Sequence, residues 1–279
     1  MMPLPFILAG VAVAAVTGVA GAAAKAVNRD YEEELASINK KIKNLAEKTD
    51  RDYQNAQRKT EEQVNHWVAF KRELTQYSLQ RFVDSFGKLK KVDFKESKDL
   101  SLDQIKDIER YALDYKLNSS GKSLGTESEA AIKGAILGVV GGGAYFIGSL
   151  IKGVKLQYAI EEAEANLAKL KVEVEKVKKE QLKLAKLGKH AQEMHEVART
   201  LNELFMLAVR EMELNMSRYG TDYSQYGQEA RKQVYVTAEF AKTIKHLIDA
   251  PLVSDRGGEI HQQSKQTLKT AQAYLDQTR

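Results

Sequence analysis

The chain contains no cysteine, so it forms no disulfide and offers no thiolate for metal binding or nucleophilic attack. Proline is almost as scarce, with three residues at Pro3, Pro5 and Pro251. A proline-free run over 6–250 argues against a loop-rich or sheet-edged fold and for long helices. No sign of charge dominates: 43 basic residues face 38 acidic ones, and the net charge of +5 is mild for 279 residues. It permits attraction to anionic lipid or nucleic acid and selects neither. The lysines over 169–189 are interleaved with glutamates, as on a solvated coiled-coil face, and no recognition-helix motif or stacking platform accompanies them. Nucleic acid is therefore not an expected partner.

Catalytic and metal-binding patterns are missing as well. None of the five histidines has a glutamate three residues before it, as a carboxylate-bridged bundle site requires. His195-Glu196 begins an H-E-x-x-H pattern that ends in Arg199, and His190 and His195 diverge by about 140° around a helix. These histidines are expected at the surface or the boundary of the fold. Gly121-Lys122-Ser123 has Lys116 where a phosphate-binding loop needs glycine, and no strand precedes it. No glycine-rich elbow exposes a serine nucleophile. The expectation is a protein that is not an enzyme, with no catalytic residue, no metal, no cofactor and no small-molecule substrate.

What is present is hydrophobic and helical. Residues 134–151, GAILGVVGGGAYFIGSLI, carry no charge and are bounded by Lys133 and Lys152. As a helix this run would reach roughly 27 Å, close to the ~30 Å of a bilayer core. Six of its eighteen residues are glycine, a poor helix former in water that lets a partner helix approach closely in lipid. Gly134, Gly138 and Gly142 stand four apart, with Gly143, Tyr145 and Phe146 beside them. The same spacing recurs in Gly10, Ala14, Gly18 and Ala22, within an uncharged segment over 1–24. That segment reads as a retained membrane segment rather than a signal peptide, because a positive leading region is missing.

Between and after these runs the pattern is heptad. Tyr31, Leu35, Ile38, Ile42 and Leu45 alternate four and three. A second apolar set, Val64, Trp67, Phe70, Leu74, Tyr77, Phe82 and Phe86, continues toward a stop at Gly87, with a bend expected near 59–63. The five lysines over 88–98 read as a solvated linker. Ser101 with Gln104 forms a capping box for a helix over 102–117, and Thr126 with Glu129 forms another before the central run. Leu156, Ile160, Ala163, Leu167, Leu170, Val174, Val177, Gln181 and Leu184 make the longest unbroken seam. Near Gly188 the register shifts, marking a hinge or a local unwinding, and Met194, Val197, Leu201, Leu204, Ala208 and Met212 take over. Residues 219–227, YGTDYSQYG, read as a loop packed on the bundle. A helix over 228–249 buries Val234, Ala238, Ala241, Ile244 and Ile248, and a last helix carries Ile260, Leu268, Ala271 and Leu275.

The expected fold is all-α, a long-helix coiled-coil bundle with two small-residue-rich hydrophobic membrane segments. Four regions follow: 1–27 and 127–155 hydrophobic, 28–126 and 156–279 coiled-coil or helical. The layout over 4–24, 31–86, 134–151 and 156–212 resembles the two-state α-helical pore-forming toxins of the cytolysin A and haemolytic enterotoxin type. It is similar, too, to uncharacterised bacterial coiled-coil proteins with paired glycine-rich segments. It departs from the toxin pattern in that the first hydrophobic run stands ahead of the long helix. The resemblance implies a membrane-associated bacterial protein whose partners are the lipid bilayer and further copies of itself or a helical partner subunit. Membrane insertion with self-assembly, pore-forming or membrane-remodelling, is one expectation; a membrane-anchored coiled-coil scaffold or tether is the other. If both runs cross as single helices, 25–133 and 152–279 lie on opposite sides and the two seams cannot pair within one molecule. A hairpin turning at Gly141-Gly142-Gly143 would instead put both seams on one side. The capping box and the following heptads favour the continuous helix.

Overall fold

A computed structural model of the protein describes residues 22–94, 101–118, 159–254 and 259–278. These residues are all-α. Helix α1 spans Ala22–Glu73, passes through a π-helical stretch at Leu74–Leu79, and continues as α2, Gln80–Phe86. Helices α3 (Leu102–Asn118), α4 (Ala159–Tyr219), α5 (Gln228–Asp249) and α6 (Gln262–Thr278) follow, with a 3₁₀ turn at Tyr223–Gln225. No strand occurs among the described residues, only single bridges between Lys90 and Asp222 and between Val253 and Ile260.

The chain forms two compact units that do not follow the sequential division. One comprises Met1–Arg58 with Ile136–Leu184, the other Lys59–Ala135 with Ala185–Arg279. In the first unit the described elements are the leading parts of α1 and α4, so both heptad seams belong to one body. Its core is a thin stripe. Ile38 and Thr49 from α1 are buried, as are Ala163, Leu170, Val174, Val177 and Leu184 from α4. The Thr49 hydroxyl donates to the Leu45 carbonyl at 2.7 Å, which lets a polar residue occupy a seam position without leaving its donor unpaired. Tyr53 is close enough to Glu180 for that carboxylate to raise its phenol, after the larger upward push of burial.

The second unit is a thicker bundle built on the same two helices. The Gln63 amide donates to Gln192 at 2.8 Å, Phe70 packs edge-on to His195 at 4.8 Å, and the Arg81 guanidinium grips Glu213. Residue numbers rise together along both helices, so α1–α2 and α4 run parallel here, with hydrogen-bonded partners 128 to 132 positions apart. A parallel pair cannot be closed by a short turn. Helix α3, between the two in sequence, packs on the π stretch, α2 and α5.

Local sequence accounts for most element ends. Helix α2 stops at Gly87, as expected. The Ser101 box closes reciprocally, with the Ser101 N–H donating to Gln104 Oε1 at 3.0 Å and the Gln104 N–H to Ser101 Oγ at 3.4 Å. Helix α1 is continuous α-helix through 59–63, where the two units divide at Arg58 and Lys59, and a π-helical stretch that the spacing does not announce follows at 74–79. Two expectations need correction. The wider π turn rotates the register, so Leu74, Thr75, Ser78 and Leu79 face inward and Tyr77 points out, 63% exposed. Ile260 lies outside α6, held by the bridge to Val253.

Candidate functional site

The residues singled out in the glycine-rich runs, Gly10, Ala14, Gly18, Gly134, Gly138, Gly142, Gly143, Tyr145 and Phe146, lie outside the described residues, as does Leu156. Ala22 opens α1. Of the remaining seam positions, Leu170, Val174, Val177 and Leu184 are buried, and Ile160 and Leu167 are half-buried. The Thr126–Glu129 box and the Gly121-Lys122-Ser123 loop also fall outside. No described helix is long and apolar enough to cross a membrane.

Where the register shifts, α1 passes close against α4 in the second unit. A Cβ on Gly188 would lie 2.2 Å from Gln63 Oε1 and 3.3 Å from the Thr60 Cα. A side chain there would turn the Gln63 amide away from Gln192 and press on the α1 backbone at Thr60, so glycine fits the contact that the Gln63–Gln192 bond closes over. The shift read in the sequence is therefore a packing contact within a helix that remains α-helical.

The far ends of the parallel helices are fastened to each other. The Lys90 N–H donates to the Thr221 carbonyl at 2.8 Å, and the Tyr223 N–H to the Lys90 carbonyl at 3.0 Å. Lys91, in the left-handed region at φ 57°, places its ammonium 2.6 Å from Asp222. That contact, with the Ser224 hydroxyl, holds the Asp222 carboxyl down at about 2. Part of the lysine-rich segment expected to be a solvated linker is thus a clasp. Aromatic rings pack under it: Phe94 stacks at 6.2 Å on Phe86 and meets Tyr223 and Tyr235 edge-on. Tyr223 and Tyr226 are buried, and the Tyr226 hydroxyl donates to the Gly220 carbonyl at 2.8 Å, so the tyrosine tract is a packed loop.

Titratable groups gather between the helices of this unit. Lys71 on α1 lies with its ammonium 5.6 Å from the centre of the Trp67 ring, and burial pushes it down to about 8 against the pull of Asp249. Trp67 is fully buried, and its indole nitrogen has no hydrogen-bond acceptor among the described residues. On α5, Lys245 pairs with Asp249 and lies 5.1 Å from the centre of the Tyr111 ring of α3. His246, lowered by burial and then by Lys242, shares a shallow polar cleft with Gln104, Asp107, Ile108, Lys242 and Lys245. His190, expected at the surface or the boundary of the fold, is 5% exposed and hydrogen-bonds through Nε2 to Ser264 Oγ at 2.7 Å. Burial lowers it, and Ser264 is wholly enclosed, so this serine–histidine contact satisfies two buried polar groups. The sequence signal that would have found it is the low polarity around His190 in the α4 inner face: Leu187, Ala191 and Met194.

The arrangement therefore holds helices together, with a polar layer in the second unit whose charges are mostly paired. No group of three histidine, cysteine, aspartate or glutamate residues among the described residues could hold a metal ion. No family model, curated protein or solved structure matches the chain.

Proposed function

We propose that the chain is a non-enzymatic, membrane-inserting helical protein that self-assembles through small-residue ribbons and coiled coils, in a pore-forming or membrane-remodelling role. The observation that supports this reading is the parallel order of α1 and α4. In sequence an uncharged, small-residue-rich run precedes each helix, 1–24 before α1 and 134–151 before α4, so a parallel pair would present both runs from the same end. Two runs with four-residue small spacing, delivered together, suit close packing of one against the other in lipid.

The same order favours a re-entrant path for the central run. The leading parts of α1 and α4 belong to one unit, and no described helix is apolar enough to cross lipid. An inserted 134–151 segment would then have to leave and return on the same side of the membrane, as the hairpin alternative requires. The single crossing would separate seams that belong to one body.

The test is flotation with liposomes before and after an alkaline carbonate wash, together with dye release, on the unmutated chain and a Gly138→Leu, Gly142→Leu double variant. Leucine raises apolarity and helix propensity, so a plain anchor should bind as well or better. A packed insertion should keep binding and lose dye release or oligomers, because each added side chain forces the facing backbone away. Full release with the leucines in place eliminates the assembly reading and leaves the tether.

A further inference from the structure

We propose that α6 is an acid-released latch, fastened at its start by two histidine contacts that favour neutral rings, and that it lifts off α4 and α5 when the medium turns mildly acidic. The first contact is the cap. His261 immediately precedes α6, and its Nδ1 accepts the Gln263 N–H at 3.1 Å. That is the place of an N-cap side chain, which satisfies one of the free N–H groups at a helix start. A protonated ring carries hydrogen on Nδ1 and cannot accept, and it sets positive charge at the positive end of the helix dipole. Glu259, two residues earlier, and Lys265, one turn later, are the nearest charges in sequence.

The second contact is His190 on α4, buried with its Nε2 2.7 Å from Oγ of the wholly enclosed Ser264 on α6. A neutral imidazole and a hydroxyl complete each other there. An imidazolium would face the same hydroxyl with no water to solvate its charge. Burial already holds this ring below its ordinary range. The charges that act on it among the described residues are Glu193 of its own helix, which draws it up, and Lys265 of α6, which pushes it down. Glu193 lies 3.4 Å from Lys189, so part of its charge is committed elsewhere. Undocking α6 would wet the His190 ring and carry Lys265 away from it, and both changes favour the proton.

Helix α6 is thinly held. It buries Ser264, Ala271 and Leu275, where α5 buries nine side chains, and its ring contact is Tyr274 edge-on to Phe240 at 5.2 Å. Elements with few buried apolar contacts are the first to open. The chain before α6 is pinned separately: the Ser254 N–H donates to the Glu259 carbonyl at 2.9 Å and the His261 N–H to the Leu252 carbonyl at 3.1 Å. Helix α6 can therefore leave while α5 and the Val253–Ile260 bridge stay in place. Both contacts favour neutral rings, so release takes up protons. Docking is complete at neutral pH and weakens as pH falls through the histidine range, by up to about tenfold per pH unit for each proton taken up.

The latch needs no lipid and does not rest on the proposed function. The chain has no cysteine, so Ala271→Cys sets a single thiol on the buried face of α6, and Ala198→Cys, in a separate chain, sets one on the inner face of α4. Reaction of each full-length chain with 4,4′-dithiodipyridine is timed at about pH 7.5 and about pH 5.5, on either side of the ordinary histidine range. Each rate is divided by that of the urea-unfolded chain at the same pH. On going to the lower pH the Ala271→Cys thiol should gain about tenfold or more in relative rate, while the Ala198→Cys thiol stays protected. Adding His190→Gln and His261→Asn, which keep an amide for Ser264 and a cap without titrating, should abolish the gain. His261→Asn alone should remove part of it, which keeps the test open if the glutamine does not fit. A relative rate at Ala271→Cys that is flat with pH overturns the proposal. So does an equal rise at Ala198→Cys, which would mean that the whole unit unfolds, or a gain that survives undiminished in the histidine variants.

Discussion

At the scale of single residues, the buried cation is the most informative. Lys71 has its ammonium lowered to about 8 from an ordinary 10.5, so the folded chain gives up that proton more readily than the unfolded chain. Below pH 8 both states are charged and the full cost of burying the cation is borne. Between 8 and 10.5 the folded form is already neutral, and stability recovers as pH rises. Lys71→Met should therefore stabilise by about 1–3 kcal/mol near pH 7, after allowing for the lost contact with Trp67. The gain should shrink toward pH 10.5, and thermal melts across that range would show it. A gain that is flat with pH would mean the lysine is solvated. The histidines act on the acid side. His190, His195 and His246 are all lowered by burial, so the unfolded chain takes up protons first as pH falls below 6.5. Stability should decline from that point downward, and His190→Asn should flatten part of the decline in melts between pH 7.5 and 5. Of these environments only that of His190 left a signal in the sequence, the apolar Leu187, Ala191 and Met194 on its face; Lys71 and His246 read as solvated until the helices around them are known.

Among elements, the long helices and their ends were legible and their irregularities were not. The inner face of α5 and the Ser101 box follow from spacing and local chemistry alone. The π stretch does not, since the sequence from Trp67 to Phe86 fits a regular period with Tyr77 inward as well as the observed period with Tyr77 outward. Packing of Leu74, Leu79 and Phe82 decides between them. Gly188 carries a sharper expectation. Gly188→Leu must displace both Gln63 and the Thr60 backbone, and it should destabilise the chain by roughly 1–3 kcal/mol, the usual cost of overpacking. An unchanged melting temperature would show that α1 does not pass close to α4 there. In the first unit, Leu170 at 2% exposure should cost about 2–5 kcal/mol on truncation to alanine. Half-buried Leu167 should cost less. Equal losses at the two positions, measured by denaturant unfolding, would mean the seam is rotated.

For the whole molecule, the seams announced that two long helices pair, and they carried no information on direction. A 3.5-residue period looks the same read from either end. The parallel sense rests on contacts such as Gln63 with Gln192, and a chain without cysteine gives a clean test of it. A Gln63→Cys, Gln192→Cys pair should oxidise to an intramolecular disulfide, visible as a mobility change reversed by reductant, whereas Gln63→Cys with Arg218→Cys should not. The opposite result would make the pair antiparallel. This parallel order also bears on how the chain is made. Partners 128 to 132 positions apart emerge from the ribosome far apart in time. At about 5–20 residues per second, Trp67, Phe82 and the rest of the α1–α2 inner face wait roughly 6 to 26 s for α4 to be synthesised. For that interval the nascent chain carries an uncovered apolar helix stripe, and until it is covered a second nascent chain or a chaperone has as much access to it as α4 will.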